Sequence, residues 1–213
     1  MLNATYVSQT ALLPSIERRR MNGTPDQVIV DRVVKGDVDA FSELVEKYQD
    51  RIYSVVMNYV FNAEDAVDVV QDTFLKAYSK LRTFNSSSAF YTWIYRIAIN
   101  TAIDHIRKRK TRMADSLDDE KYTQVGFEPT SHDASVDPEK VAVQSESRRA
   151  LTKAISELSD KLRAVTVLHD VEGLSQEEVA EVLGVPVGTV KSRVSRARAE
   201  LRYILREQMG EVV

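Results

Sequence analysis

Apolar residues between positions 41 and 59 recur at steps of three and four: Phe41, Leu44, Val45, Tyr48, Ile52, Val55, Val56 and Tyr59. That spacing places them on one face of a helix, and the face must be buried against other helices. No segment alternates convincingly with the two-residue period of a strand, so the expected fold class is all-α. Thr24, Pro25 and Gln27 predict an earlier helix: a capping hydroxyl, a proline at the first helical position and a glutamine three residues after the cap. It should run to Lys35 and stop at Gly36, after which Asp37 should cap the long helix. A third helix is expected over residues 63–81 and a fourth over 90–110, separated by the loop Phe84, Asn85, Ser86, Ser87, Ser88.

From position 113 to about 135 the composition shifts to Asp, Ser, Thr, Gly and Pro with no apolar repeat, as in a linker. Helical spacing resumes by Val141 and carries Leu151, Ile155, Leu158, Leu162, Val165 and Leu168 toward Gly173. The expected organisation is therefore an extension without fixed structure over 1–22, a helical domain over 23–112, a flexible acidic linker over 113–140 and a second helical domain over 141–208. The chain has no cysteine, which excludes disulfides, thiolate metal sites and cysteine nucleophiles. No apolar run approaches the ~20 residues of a membrane span. Arg18, Arg19 and Arg20 follow the mildly apolar start, the reverse of a secretory signal. A cytoplasmic protein without membrane insertion is expected.

Charge is segregated. Arg96, Arg107, Lys108, Arg109, Lys110 and Arg112 face only Asp104 over 96–112, and Lys191, Arg193, Arg196, Arg198, Arg202 and Arg206 face only Glu200 over 188–206. Between them, nine acids accompany only Lys121 and Lys140 over 113–147. Two basic elements on an acidic tether suggest two contacts with one polyanion, although either run alone could be a solvated helix face.

The second basic run sits in a helix-turn-helix pattern. Ser175 and Glu178 form a capping box before Val179, Val182 and Leu183; Gly184 and Pro186 break the helix; Val190, Val194, Ala197, Leu201 and Ile204 then form a buried stripe. Opposite that stripe, Ser192, Ser195, Arg196 and Ala199 combine small side chains with charge, which suits entry into a major groove. Lys191, Ser192, Ser195 and Arg196 are the expected base contacts, and Arg193, Arg198 and Arg202 the expected phosphate contacts.

In the fourth segment, Phe90, Tyr91, Trp93 and Tyr95 lie beside the serine loop and before a cationic run, a mixture that can hold unstacked bases. Core packing is the expected role of Phe90 and Trp93. In the third, Asp65, Asp68 and Asp72 recur about once per turn. A divalent metal pair, an exposed acidic face and a protein-docking face are all compatible with that spacing. No glycine-rich phosphate loop accompanies it, and none of His105, His132 and His169 is expected near a ligand-like partner. No metal, cofactor or enzymatic activity is expected.

Three ordered stretches, "DVVQDTFLKAY", "SAFYTWIYRIAIN" and "GLSQEEVAEVLGVPVGTVKSRVSRARAEL", resemble the extracytoplasmic-function (group IV) sigma factors of bacterial RNA polymerase, and the sigma-E branch in particular. The resemblance spans about residues 24–206 and makes the two domains sigma regions 2 and 4. It implies that Asp68, Gln71 and Asp72 dock on the clamp coiled coil of the polymerase's largest subunit. Phe84, Asn85, Ser86, Ser87 and Ser88, with Ile97 and Asn100 behind them, would receive a flipped base of the -10 element, while Arg107, Lys108, Arg109 and Lys110 follow its phosphates. The second domain would read the -35 element as duplex. The resemblance further implies promoter melting without ATP hydrolysis by the factor, a stress-response regulon, and an anti-sigma partner, often anchored in the inner membrane. Close sigma-E relatives carry Arg and Asp where this chain has Asn85 and Ser87. The competing expectation is a helix-turn-helix regulator that acts without polymerase.

Overall fold

A computed structural model describes residues 25–84, 88–115 and 138–208; the expectations for 1–22 and for most of the linker lie outside them. Among the described residues eight α-helices carry the fold: α1 (Asp26–Val34), α2 (Phe41–Val60), α3 (Ala63–Lys80), α4 (Phe90–Asp115), α5 (Pro138–Glu157), α6 (Asp160–Val165), α7 (Gln176–Leu183) and α8 (Val187–Gln208). Among the described residues there is no strand.

Helices α2, α3 and α4 pack mutually, with α1 laid across α2. The stripe expected on α2 is buried at Leu44, Tyr48, Ile52, Val55, Val56 and Tyr59. It meets Val69, Phe74 and Ala77 of α3 and Ile94, Ala98 and Ile99 of α4. The Tyr48 hydroxyl donates to Asp26 at 2.7 Å, and Lys47 pairs with the same carboxylate at 2.6 Å, so α1 is pinned to α2 by a partly buried polar knot. Burial, with Asp26 second, pushes the Tyr48 phenol far above its ordinary value.

Three local expectations are corrected. Pro25 is the N-cap of α1 and Asp26 its first residue, with no side-chain cap bond; Thr24 lies outside the described residues. Asp37 caps the 3-10 turn Val38–Ala40 through Ala40 N–H, and α2 begins only at Phe41. Helix α4 continues five residues beyond its expected end at 110, to Asp115.

Phe61 ends α2 in the left-handed region at φ 58°, a conformation costing an L residue about 1–2 kcal/mol. The ring is held there by burial at 9% exposure. Asn62 then caps α3 by accepting from Asp65 N–H at 2.9 Å.

In the second domain, α8 is the spine against which α5, α6 and α7 pack. Helix α6 runs into a π-helical turn, Thr166–Val171, so the apolar series through Leu162, Val165 and Leu168 is continuous but not uniformly α-helical. The capping box forms in full: Glu178 N–H donates to Ser175 Oγ at 3.2 Å and Ser175 N–H to Glu178 Oε2 at 2.7 Å. Gly184 supplies the left-handed stop at φ 63°, and Pro186 offers its carbonyl to Thr189 and Val190 at the start of α8.

The two domains touch through α4 against α7, and α2 against both α5 and the π-helical turn. Tyr59 donates to the Asp160 carbonyl at 3.2 Å, and Ser54 donates to Glu172 at 3.1 Å.

Candidate nucleic-acid interface

Helix α8 presents two unlike faces. Val190, Val194, Ala197 and Ile204 are buried, with Leu201 half-buried beside them, while Lys191, Ser192, Ser195, Arg196, Ala199 and Arg202 are exposed. Lys191, Ser195, Arg198 and Arg202 line one hollow with Gln176, at the start of α7. Four of the seven candidate contacts thus meet in the groove between the paired helices. Arg193 is half-buried and does not line the hollow. Arg198 is held by Asp170, Nη2 to Oδ1 at 2.5 Å, and that carboxylate raises the guanidinium pKa. Asp170 comes from the π-helical turn and was not expected in the site.

The other basic surface is built on α4. Phe84 packs edge-on against Phe90 at 5.4 Å between centroids and tilted against Trp93 at 5.3 Å. Phe90 is buried at 2% and leans on Tyr48, in agreement with its expected core role. Trp93, Ile97 and Asn100 follow at helical steps, so the aromatic cluster continues into half-buried Ile97 and exposed Asn100. Ser88 is half-buried; Asn85, Ser86 and Ser87 lie outside the described residues. Arg107, Lys108 and Lys110 are exposed, whereas Arg109 is tied to Asp65.

The acidic row on α3 divides. Asp68, Gln71 and Asp72 are exposed, and with them Leu75 at 68% and Val67 at 45%. The exposed surface of α3 is therefore mixed acidic and apolar. Sequence spacing pointed to the acids; Leu75 and Val67 become visible only once exposure is known. Asp65 faces inward, with His105 Nε2 at 2.9 Å, which corrects the expectation that no histidine has a ligand-like partner. Among the described residues no group of three His, Asp or Glu could hold a metal ion, and no helix is long and apolar enough to cross a membrane.

Sigma-70 region 2 matches residues 44–112 and Sigma-70 region 4 matches residues 148–201. RNA polymerase sigma-H factor of Pseudomonas aeruginosa is 40% identical over 190 residues, covering 87% of this chain and 96% of that protein. The ECF RNA polymerase sigma-E factor of Escherichia coli K12 is 41% identical over 178 residues, covering 81% and 90%. The chain belongs to the extracytoplasmic-function sigma factors. Among solved structures, the sigma factor RpoE of Bartonella quintana, in complex with the anti-sigma factor NepR, superposes with TM-score 0.62 at 29% identity, over 78% of this chain and 96% of that one. As an alternative sigma factor the protein binds RNA polymerase and recognises promoters, and the polymerase-independent regulator is not favoured.

Glu172 gives the contact between the sigma domains a pH dependence. Burial raises its pKa above the ordinary 4.5, opposed by the Ser54 hydrogen bond and Arg51 from α2; Tyr95 of α4 faces it as well. The raised value belongs to the packed state, so packing is strongest below the ordinary value and weakens as pH rises through the raised one. Small-angle scattering should therefore show expansion from pH 4.5 upward, and Glu172→Gln should flatten that response.

Proposed function

We propose that residues 23–112 bind core polymerase and the -10 element and residues 141–208 bind the -35 element, with the acidic segment 113–140 as the tether. Asp68, Gln71 and Asp72 contact the clamp coiled coil of the largest subunit, with Leu75 as their apolar anchor. The carrying observation is the exposed face of α8, where Lys191, Ser192, Ser195, Arg196 and Arg202 stand clear of the buried stripe. Lys191, Ser192, Ser195 and Arg196 read base edges, and Arg193, Arg198 and Arg202 hold phosphates. Phe84, Asn85, Ser86, Ser87 and Ser88, with Ile97 and Asn100 behind them, receive an unpaired base of the -10 element. Arg107, Lys108, Arg109 and Lys110 follow the backbone. Base capture offsets an unstacking cost of about a few kcal/mol, so melting needs no nucleotide hydrolysis by the factor and no cofactor. Tethering raises the effective concentration of each domain for its element.

An anti-sigma factor masks these surfaces until a stress signal releases the protein, which acts in the cytoplasm and is not itself an enzyme. The test is to mix pure protein with core polymerase and a promoter library: specific open complexes support the reading, and duplex binding that never needs core refutes it. Within that assay, Arg196→Ala should weaken binding to the selected -35 duplex by about 1–3 kcal/mol and relax discrimination at one base position. Arg202→Ala should weaken all sequences alike and lower the salt slope by about 1.

A further inference from the structure

Lys191, Ser195, Arg198 and Arg202 follow one another along α8 at steps of four, three and four, a single row that lines the hollow beside Gln176. Of the three cations in that row, Arg198 alone carries an ion pair among the described residues, with Asp170. Its Nε donates to Oδ1 at 3.2 Å and its Nη2 to the same oxygen, so one edge of the guanidinium is committed, while Nη1 has no partner among the described residues. The arginine is the more exposed side chain of the pair, 51% against 26%, and it lines the hollow where Asp170 does not. A ligand in the hollow therefore meets the cation, with the carboxylate behind it.

Asp170 is itself held. It belongs to the π-helical turn Thr166–Val171, in which Thr166, Val167 and Leu168 are buried. The turn is bonded on either side of it: Glu172 N–H donates to the Val167 carbonyl at 2.9 Å and Leu174 N–H to the Leu168 carbonyl at 3.0 Å. His169 Nδ1–H donates to the Leu174 carbonyl at 2.7 Å, the tautomer that a carbonyl acceptor requires. An ion pair this exposed adds little to the stability of a fold, and a carboxylate close to DNA repels phosphate. What Asp170 offers is preorganisation. An arginine on an open helix face gives up rotamer freedom when it grips an anion, and one already held by its other edge has given it up in the free protein.

We propose that Asp170 is a positioning residue for -35 recognition: it fixes the Arg198 guanidinium by one edge so that Nη1 is presented to a phosphate of the duplex seated in the hollow with Lys191 and Arg202. This rests on reading α8 as the -35 surface. Asp170 touches no DNA and acts through Arg198 alone, so a residue of the wrong charge for DNA strengthens binding to it.

The test uses the full-length protein assembled with core polymerase and titrated, at several salt concentrations, with a fluorescent duplex of the promoter selected by open-complex formation. Asp170→Ala should weaken binding about threefold, the scale of the freedom lost by one immobilised side chain, and leave the salt slope unchanged because the same phosphate is neutralised. Arg198→Ala should weaken it about tenfold and lower the slope by about 0.9. In the Arg198→Ala background, Asp170→Ala should cause no further loss, whereas a carboxylate that only supports the fold would weaken both backgrounds alike. Asp170→Asn, of the same size, covers the case in which Asp170→Ala does not fold, and should also lose affinity because its amide nitrogen cannot accept. Asp170→Glu, which keeps both acceptor oxygens, should recover part of the loss. Undiminished or tighter binding by Asp170→Ala and Asp170→Asn, the result for a carboxylate that merely repels DNA, overturns the proposal, as does a loss that persists without Arg198. Failure of the -35 reading shows separately and removes the proposal with it: the parent holoenzyme would then bind equally well when the upstream element is scrambled.

Discussion

Arg163→Ala should destabilise the second domain, at about 1–3 kcal/mol for each buried carbonyl left without its donor. The Arg163 residue is only 6% exposed. Its Nε donates to the Ile155 carbonyl at 3.3 Å, and Nη2 donates to the carbonyls of Ser156 and Leu158 at 2.5 and 3.0 Å. Those oxygens close the C-terminal end of α5, where intrahelical donors run out and partial negative charge collects. The cation also lies over Tyr59 at 5.4 Å and Phe61 at 5.9 Å, so the helix end, the domain contact and the left-handed Phe61 all rest on it. Truncation removes the donor from the Ser156 and Leu158 carbonyls, each costing about 1–3 kcal/mol if it stays dry, while the Ile155 carbonyl keeps Leu158 N–H. Arg163→Lys should recover less than half, because one ammonium cannot reproduce the planar fork. Urea titration followed by far-ultraviolet circular dichroism checks both variants, the expected result being a lower midpoint for the second domain.

Asp68→Lys combined with Asp72→Lys should abolish association with core polymerase while leaving thermal unfolding unchanged. Both carboxylates are exposed on α3 and neither appears in an ion pair among the described residues, so the fold loses nothing by their reversal. At the docking face, reversal replaces attraction with like-charge repulsion, which costs several kcal/mol. A loss of about 3 kcal/mol is already more than a hundredfold in affinity. Leu75→Ala should weaken docking without changing its salt dependence, which separates the apolar part of the contact from the electrostatic part. Fluorescence anisotropy of labelled protein titrated with core polymerase reads all three. Undiminished binding of the double reversal would place the polymerase contact elsewhere.

Much of the architecture was legible because its signals are local. The stripe from Val190 to Ile204, the Ser175–Glu178 box and the stop at Gly184 are each set by residues within a few turns of one another, and each appears in place. Core roles for Phe90 and the α2 stripe were legible for the same reason. What escaped depends on distant or backbone partners. Arg163 reads as one more cation, since its partners are carbonyls that no side-chain pattern marks. Tyr91 and Glu178 are 87 positions apart, and the linker composition between them says nothing about docking. Asp65 shares the turn-by-turn spacing of Asp68 and Asp72 yet is partly buried, because His105 and Arg109 of the neighbouring α4 reach it in the first turn of α3. Arg109 and Arg198 were counted as free cations; fold geometry alone brings them beside Asp65 and Asp170.

The inward-facing Asp65 has a mechanical meaning. It sits in the first turn of α3, the helix that carries the exposed Asp68 and Asp72, and is bonded to His105 and Arg109 near the far end of α4. The link acts as a cross-brace between two struts, closing a rigid triangle with their shared packing. In the proposed docking of α3 on the clamp, this brace would link the bound helix directly to α4. Beyond Arg109, α4 runs on for six residues, about 9 Å, to Asp115.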